Sequence, residues 1–289
     1  MLWLARTALS SPLHAISLAV GFTILPLLTW LGAAIAALIM LAKGPKDGVS
    51  CFVAALIPSI YFAVEGEGQR ADFIYLSLTW LIAVVLWWSR SWIWVLGALV
   101  VAGAAQHLLF PVVTDQQLTL LVNEVGKLLE ELAKQNPEAG VFQAPDPVMY
   151  SGMIQFAVMF GALISLMFAR MLQAAIYNPG GFQKEFHSIR LPSSFVSLLI
   201  LVTLLVGLTD GSLNGLIPMM MLPLAIAGIS LVHGSIGIKK LGGNWLVLFY
   251  ISLVLVGSLT LLLLVVFAVL DSAFDFRKRL ANKINSDSQ

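Results

Sequence analysis

The sequence predicts an all-α fold: a polytopic integral membrane helical bundle of eight to nine transmembrane helices, with an extracytoplasmic amphipathic helix. Three observations carry that expectation. Of 289 residues, 59% are hydrophobic and 11% charged, whereas soluble domains carry roughly a quarter charged residues. Apolar runs long enough to cross a bilayer recur along the whole length, and mean hydropathy is +0.93. The charges sit between these runs rather than within them. Lipid, not water, is therefore the expected solvent for most of the surface.

The first element is a pair. From Ala8 to Ala42 the only ionisable side chain is His14, and one helix of that length would reach ~52 Å at 1.5 Å per residue. Gly21 and Pro26 offer a break, giving spans at about 8–24 and 26–43. The apolar character continues without a clear cleavage site, so a retained anchor is expected rather than a signal peptide. Lys43-Gly44-Pro45-Lys46-Asp47-Gly48 ends the second span with turn residues. A third span, about 49–64, stops at Glu65-Gly66-Glu67-Gly68.

Spans four and five, about 72–88 and 92–111, are separated by Ser89-Arg90-Ser91, with Trp87, Trp88, Trp92 and Trp94 around the arginine. Indoles beside one positive charge suit a membrane–water interface. Residues 112–147 differ in kind, with six carboxylates against Lys127 and Lys134. Leu118, Leu121, Val125, Leu128 and Leu132 recur at helical spacing, which predicts an amphipathic helix on the membrane surface or capping the bundle. Pro137 and Gly140 should stop it.

Span six is expected from about Val148 to Tyr177. Asn178-Pro179-Gly180-Gly181 then makes a sharp turn, followed by a polar loop at 182–192. Spans seven, eight and nine fall at about 193–209, 216–238 and 244–270, before a charged tail. The organisation is thus N-terminal membrane helices (1–111), an acidic segment (112–147), C-terminal membrane helices (148–270) and a tail (271–289).

A cytoplasmic N-terminus with nine crossings places Arg6, Lys43, Lys46, Arg90, Arg170, Lys184, Arg190, Lys239 and Lys240 inside, and leaves Arg70, Lys127 and Lys134 outside. That bias follows the positive-inside rule and puts the acidic segment outside the cytoplasm. Span nine conflicts with it. It has Lys239 and Lys240 before it and Arg277, Lys278, Arg279 and Lys283 after it, so a single crossing leaves one basic end on the wrong side.

Chemistry is sparsely marked. All fifteen carboxylates are expected in loops, span edges or tails, which disfavours a proton-driven carrier, since such proteins keep ionisable groups in the membrane. Cys51 is the only cysteine, so a CxxC site is impossible. No histidine pair has metal-ligand spacing, and no nucleotide-binding loop or nucleophile elbow occurs. No catalytic residue, metal or cofactor is assigned, and nothing resembles a basic nucleic-acid surface. His233 is the one ionisable group inside span eight. It either lines a ligand cavity or proton path, or is a neutral imidazole bonding a neighbouring helix. Ala227, Ser230, Gly234 and Gly237 share one face there, a packing stripe first and a pocket wall second. Ala15-xxx-Ala19, Gly32-xxx-Ala36 and Ala33-xxx-Ala37 permit close helix contact, most simply within the chain.

The run from Asn178 to Leu191, with its NPGGF-x-x-EF pattern, resembles the loop after the long helix in the YybS-like membrane family (domain-of-unknown-function family 2232). Leu25-Pro26-Leu27-Leu28 and the stretch Gly228–Gly234 are similar too, and the likeness spans nearly the whole chain. It implies a core like the S-components of energy-coupling-factor transporters, which bind a small molecule and dock onto a coupling subunit. The pattern at Ala15 and Ala19 is similar to their docking helix. Extra spans and the acidic segment depart from that type. The expected function is a multi-pass protein of the bacterial inner membrane that binds a small molecule or assists transport, with His233, Ser230 and Gly234 at the ligand and no enzymatic activity. The alternative is a scaffold for an inner-membrane complex, contacting other subunits through Asn178, Pro179, Gly180, Gly181, Phe182, Glu185, Phe186 and Arg190.

Overall fold

A chain solvated by lipid must satisfy its backbone polar groups internally, and helix does so within one segment. In the computed structural model, which describes residues 2–25, 27–65, 70–109, 115–135 and 146–287, helix accounts for nearly every described residue and no strand occurs among them. The N-terminal helices are α1 (Leu2–Ser10), α2 (Pro12–Ile24), α3 (Thr29–Lys43) and α4 (Pro45–Glu65). Next come α5 (Arg70–Ser89), α6 (Trp92–Leu109) and the amphipathic α7 (Asp115–Gln135). The C-terminal half holds α8 (Pro147–Tyr177), α9 (Gly181–His187), α10 (Ser193–Gly207), a 3-10 turn (Asn214–Leu216) and α11 (Ile217–Ile238). It ends with α12 (Asn244–Val256), α13 (Ser258–Phe274) and α14 (Phe276–Asp287).

Five helical stretches are long and apolar enough to cross a membrane: Pro45–Val64, Asp72–Ser89, Trp92–Leu109, Pro147–Tyr177 and Asn214–Ile238. A sixth exists if α13 and α14, bent by 69°, count as one. The architecture is that of a membrane protein whose apolar helices face lipid. The remaining expected spans are α2, α3, α10 and α12, of 13 to 15 residues each, short of the ~20 that a straight crossing needs.

The first expected span, 8–24, is interrupted at Ser11. This residue is extended (φ −153°, ψ 156°), accepts the His14 N–H on its hydroxyl at 3.2 Å, and is followed by Pro12 in the first helical turn. That is a helix start, so α1 and α2 are separate. The next break falls between Ile24 and Thr29; Pro26 lies outside the described residues, as do Gly66, Pro137 and Gly140. Beyond the break α3 returns against α2. A Cβ on Gly32 would lie 2.8 Å from the Ala19 carbonyl oxygen, so the two backbones are in contact. Ala15 and Ala19 are 1% and 0% exposed, and Ala33, Ala36 and Ala37 are equally buried. The small residues pack helices within the chain. This overturns the docking-helix expectation, since Ala15 and Ala19 present no surface to another subunit.

One end of the bundle collects the basic residues. Gln173 on α8 donates to the Leu41 carbonyl of α3 at 2.7 Å, Arg170 pairs with Glu185 of α9, and Arg90 shares a small pit with both. Arg190 donates to the Asp271 and Ser272 carbonyls of α13 at 3.0 and 2.9 Å. At the opposite end Gly215 meets His107 of α6 and the Val148 carbonyl of α8. The chain runs back and forth between these ends.

Span nine, expected as one helix over 244–270, is two helices. The break is at Gly257 (φ 43°, ψ −100°), a conformation open to glycine and strained for other residues. Across it Thr260 donates to the Ser252 carbonyl at 3.1 Å, as in an antiparallel pair. Along α11, Gly228 abuts Leu264 and Ser230 meets Arg277, so α11 and α13 run the same way. The α12–α13 hairpin therefore leaves from the basic end and returns to it. This resolves the charge conflict: Lys239, Lys240 and the basic tail share one end because span nine folds back.

Two more expectations are corrected. The segment 182–192 is not a solvated loop: α9 lies on the bundle, with Gly181, Ile189 and Leu191 buried and Phe182 and Phe186 half-buried against the core. The carboxylate at the edge of the last span is, however, buried. Asp271 lies within α13 at 2% exposed. It is tolerated because Arg277, itself buried, pairs with it at 2.8 Å, a partner the sequence placed in a free tail. Trp92 also differs from the expected interfacial belt. It is buried and donates to Glu185 at 3.3 Å, while Trp88 and Trp94 are exposed.

Candidate functional site

The α8 helix ends in the expected turn. The Asn178 N–H reaches the Ala174 carbonyl at 2.8 Å, the Gly181 N–H reaches the Asn178 carbonyl at 2.9 Å, and Gly180 takes φ 80°. That reversal lays α9 across the basic end. Two charged anchors hold it. On one side Arg170 donates Nε to Glu185 Oε2 at 3.0 Å and pairs with its other oxygen, and the Trp92 indole joins them. Burial alone would raise the Glu185 carboxyl, but Arg170 and Trp92 outweigh it and hold it below the usual range. On the other side Arg277 donates to the His187 carbonyl at 2.7 Å, the Ile189 carbonyl at 2.9 Å and the Ser230 hydroxyl at 3.1 Å.

Beneath α9, between α8, α11 and α12, lies a cavity of about 760 Å³, within the range of small-ligand sites. Its walls are mainly apolar: Phe160, Ile164 and Phe168 from α8, Ile226 and Ile229 from α11, and Leu253 from α12. Polar groups enter at the α9 end only. The His233 Nε2 and Tyr250 hydroxyl are 2.8 Å apart, the His187 ring stands 5.9 Å from that of His233, and Gln183 completes the set. Phe186 meets His233 edge-on at 5.3 Å between centroids. Burial, then the Arg277 charge, lowers the His187 pKa, so its ring is neutral at neutral pH. No Lys, Arg, Asp or Glu lines this cavity among the described residues. Nor do the described residues contain a His, Cys, Asp or Glu group able to hold a metal ion.

Of the three residues expected at a ligand, the structure brings one to the cavity. His233 lines it. Ser230 turns the other way, fully buried, its hydroxyl 2.6 and 2.9 Å from the Phe186 and Ile189 carbonyls, which share its single proton. Gly234 is where α9 crosses α11, since a Cβ there would come 2.8 Å from the His187 carbonyl oxygen. Both hold α9 in place rather than face the cavity. Among the residues expected at a partner, Asn178, Pro179 and Gly180 are exposed. Gly181, Phe182, Glu185, Phe186 and Arg190 make the contacts within the chain described above.

Tyr250, His187 and Gln183 escaped sequence reasoning. Tyr250 is 17 residues from His233 in a run read as one span, and only the fold-back at Gly257 turns α12 alongside α11. His187 lies in the run 182–192 expected as a polar loop. Comparison with protein-family models, curated proteins and solved structures gives no match. What the fold and cavity define is a class: a helical membrane protein with an apolar chamber that carries hydrogen-bonding groups at one end.

Proposed function

We propose that the chain is a binding module of a bacterial inner membrane, holding a small molecule in the chamber between α8, α9, α11 and α12. The observation that carries this is the His233–Tyr250 pair at the polar end of an otherwise apolar cavity, a combination typical of ligand sites. A role in transport, and membership of the YybS-like family, accord with the NPGGF turn and the likeness to S-components. A coupling subunit would have to dock elsewhere than on Ala15 and Ala19. The scaffold alternative draws less support, because Phe182, Glu185, Phe186 and Arg190 are engaged inside the chain. We also infer that α2–α6, α8 and α10–α13 all enter the membrane, with the basic end cytoplasmic and α7 outside.

The test is ligand-induced stabilisation of the purified full chain in detergent against a metabolite and lipid library. At least one compound should raise the melting temperature of the wild type and leave Ile229→Trp, which fills the chamber, unmoved. No shift across the library, or equal shifts in both proteins, would sink the proposal.

A further inference from the structure

The chamber's chemistry is ordered along the bundle axis. On α11 the apolar Ile226 and Ile229 precede His233, which lies within two turns of the helix end at Ile238. The α12 helix runs the opposite way and matches it, with Leu253 deep and Tyr250 within two turns of Asn244. Phe160 to Met171 on α8 give the chamber a length of ~16 Å at 1.5 Å per residue. At the basic end α9 adds Gln183 and His187. A molecule filling this space has an oxygen- or nitrogen-bearing head at the basic end and an apolar body in the membrane interior.

An uncharged head fits this end. An ion buried in an apolar site needs a counter-charge, and no charged side chain among the described residues lines the chamber; Lys184 lines a neighbouring pocket that shares Gln183 and His187 with it. The recognition groups are a hydroxyl, an amide and imidazoles. The hydroxyl keeps one hydrogen-bonding valence whichever way its proton lies. If Tyr250 donates to His233, its oxygen still accepts; if His233 donates, Tyr250 still gives its proton. A ligand hydroxyl or carbonyl is served equally.

Access is lateral. The α12 helix contributes no buried residue and carries exposed Val247, Leu248, Ile251, Val254 and Leu255. It stands away from α11, joined to it through the His233–Tyr250 bond. The chamber wall on that side is thus one lipid-facing helix, which offers a ligand a lateral route from the bilayer.

We infer that the chamber takes a neutral, single-chain lipid with an oxygen-bearing head, such as a long-chain or prenyl alcohol, received from the bilayer beside α12. This rests on the binding reading above and narrows it to a chemical class. The full chain is reconstituted in phosphatidylcholine vesicles and irradiated with diazirine-tagged farnesol or diazirine-tagged farnesyl phosphate. Farnesol should label the peptides carrying Phe160–Met171 and Leu246–Leu253, and untagged farnesol should compete. The phosphate should label them at least about tenfold less, since its charge has no partner there. Tyr250→Phe should weaken farnesol labelling by roughly threefold to tenfold, the worth of one hydrogen bond. Leu253→Trp, on a helix with no buried core to disrupt, should reduce labelling to background. Equal or stronger labelling by the phosphate overturns the neutral-head assignment, and unchanged labelling in both variants overturns the site. Either result alongside a water-soluble hit in the metabolite library leaves the binding reading standing, and silence in both experiments removes both.

Discussion

Asp271 and Arg277 carry the largest single-residue stake in the structure. Both are nearly inaccessible, and the guanidinium also serves two carbonyls and the Ser230 hydroxyl. Asp271 accepts the Phe276 N–H at 2.9 Å, which starts α14 and fixes the 69° corner. Removing one partner of a buried pair strands a charge and costs about 3–5 kcal/mol, whereas removing both is far milder. Asp271→Ala should therefore lower the stability of the detergent-solubilised protein by about that amount. Adding Arg277→Met should recover part of the loss, as measured by thermal unfolding. If Asp271→Ala melts like the wild type, the pair does not hold the corner. None of this could be read from the sequence: Asp271 looked like the edge of a span and Arg277 like part of a solvated tail. Their pairing depends on a bend at Asp275 (φ 50°), which no local signal announces.

At the scale of elements, Gly257 decides how the last apolar run is divided. A run over 244–270 taken as one helix would be ~40 Å long, well beyond a ~30 Å hydrocarbon core. Excess length, a glycine near the middle and basic residues at both ends were all visible, and together they signal a fold-back. The crossing interpretation prevailed because periodicity cannot distinguish a kinked span from a hairpin. Gly257 has no atom within 4 Å of where a Cβ would lie, so the constraint there is backbone conformation alone. Gly257→Ala should destabilise by about 1–3 kcal/mol. Gly21→Ala, equally uncrowded but inside α2 with ordinary helical geometry, should stabilise by about 0.5–1 kcal/mol. Comparing melting temperatures of the two variants checks both signs; a neutral Gly257→Ala would mean that the break is not held by its φ. Elements with strong punctuation were legible. The NPGG turn, the amphipathic α7 and the stop near Lys43 all fell close to where the residues placed them. The short α9 was not, because it is held by packing Phe186 on His233 of α11 and Phe182 on Trp92 of α6, contacts that no local pattern announces.

The whole molecule differs from the sequence expectation chiefly in the parity of its passes. Splitting span nine at Gly257 turns one crossing into a fold-back, so the chain returns to the end from which α2 set out. At one end of the bundle this gathers Lys43, Arg90, Arg170, Arg190 and Arg277 with the groups that bond or adjoin them, while α7 links helices at the other. Segregation of this kind is what the positive-inside rule selects, and it fixes an observable: the tail and the α9 segment must share a side, and α7 must be on the opposite one. Cys51 is buried on α4, so it gives little background in labelling by a membrane-impermeant maleimide. In intact spheroplasts, Lys127→Cys should react, whereas Lys184→Cys and Lys283→Cys should react only after the membrane is permeabilised. Reaction of Lys283→Cys without Lys184→Cys would show that the last apolar run crosses once and that the Gly257 hairpin is wrong. Reaction of both without Lys127→Cys would keep the hairpin and invert the orientation. The two claims are thereby separable, one resting on the backbone at a single glycine and the other on the charge distribution of the entire bundle.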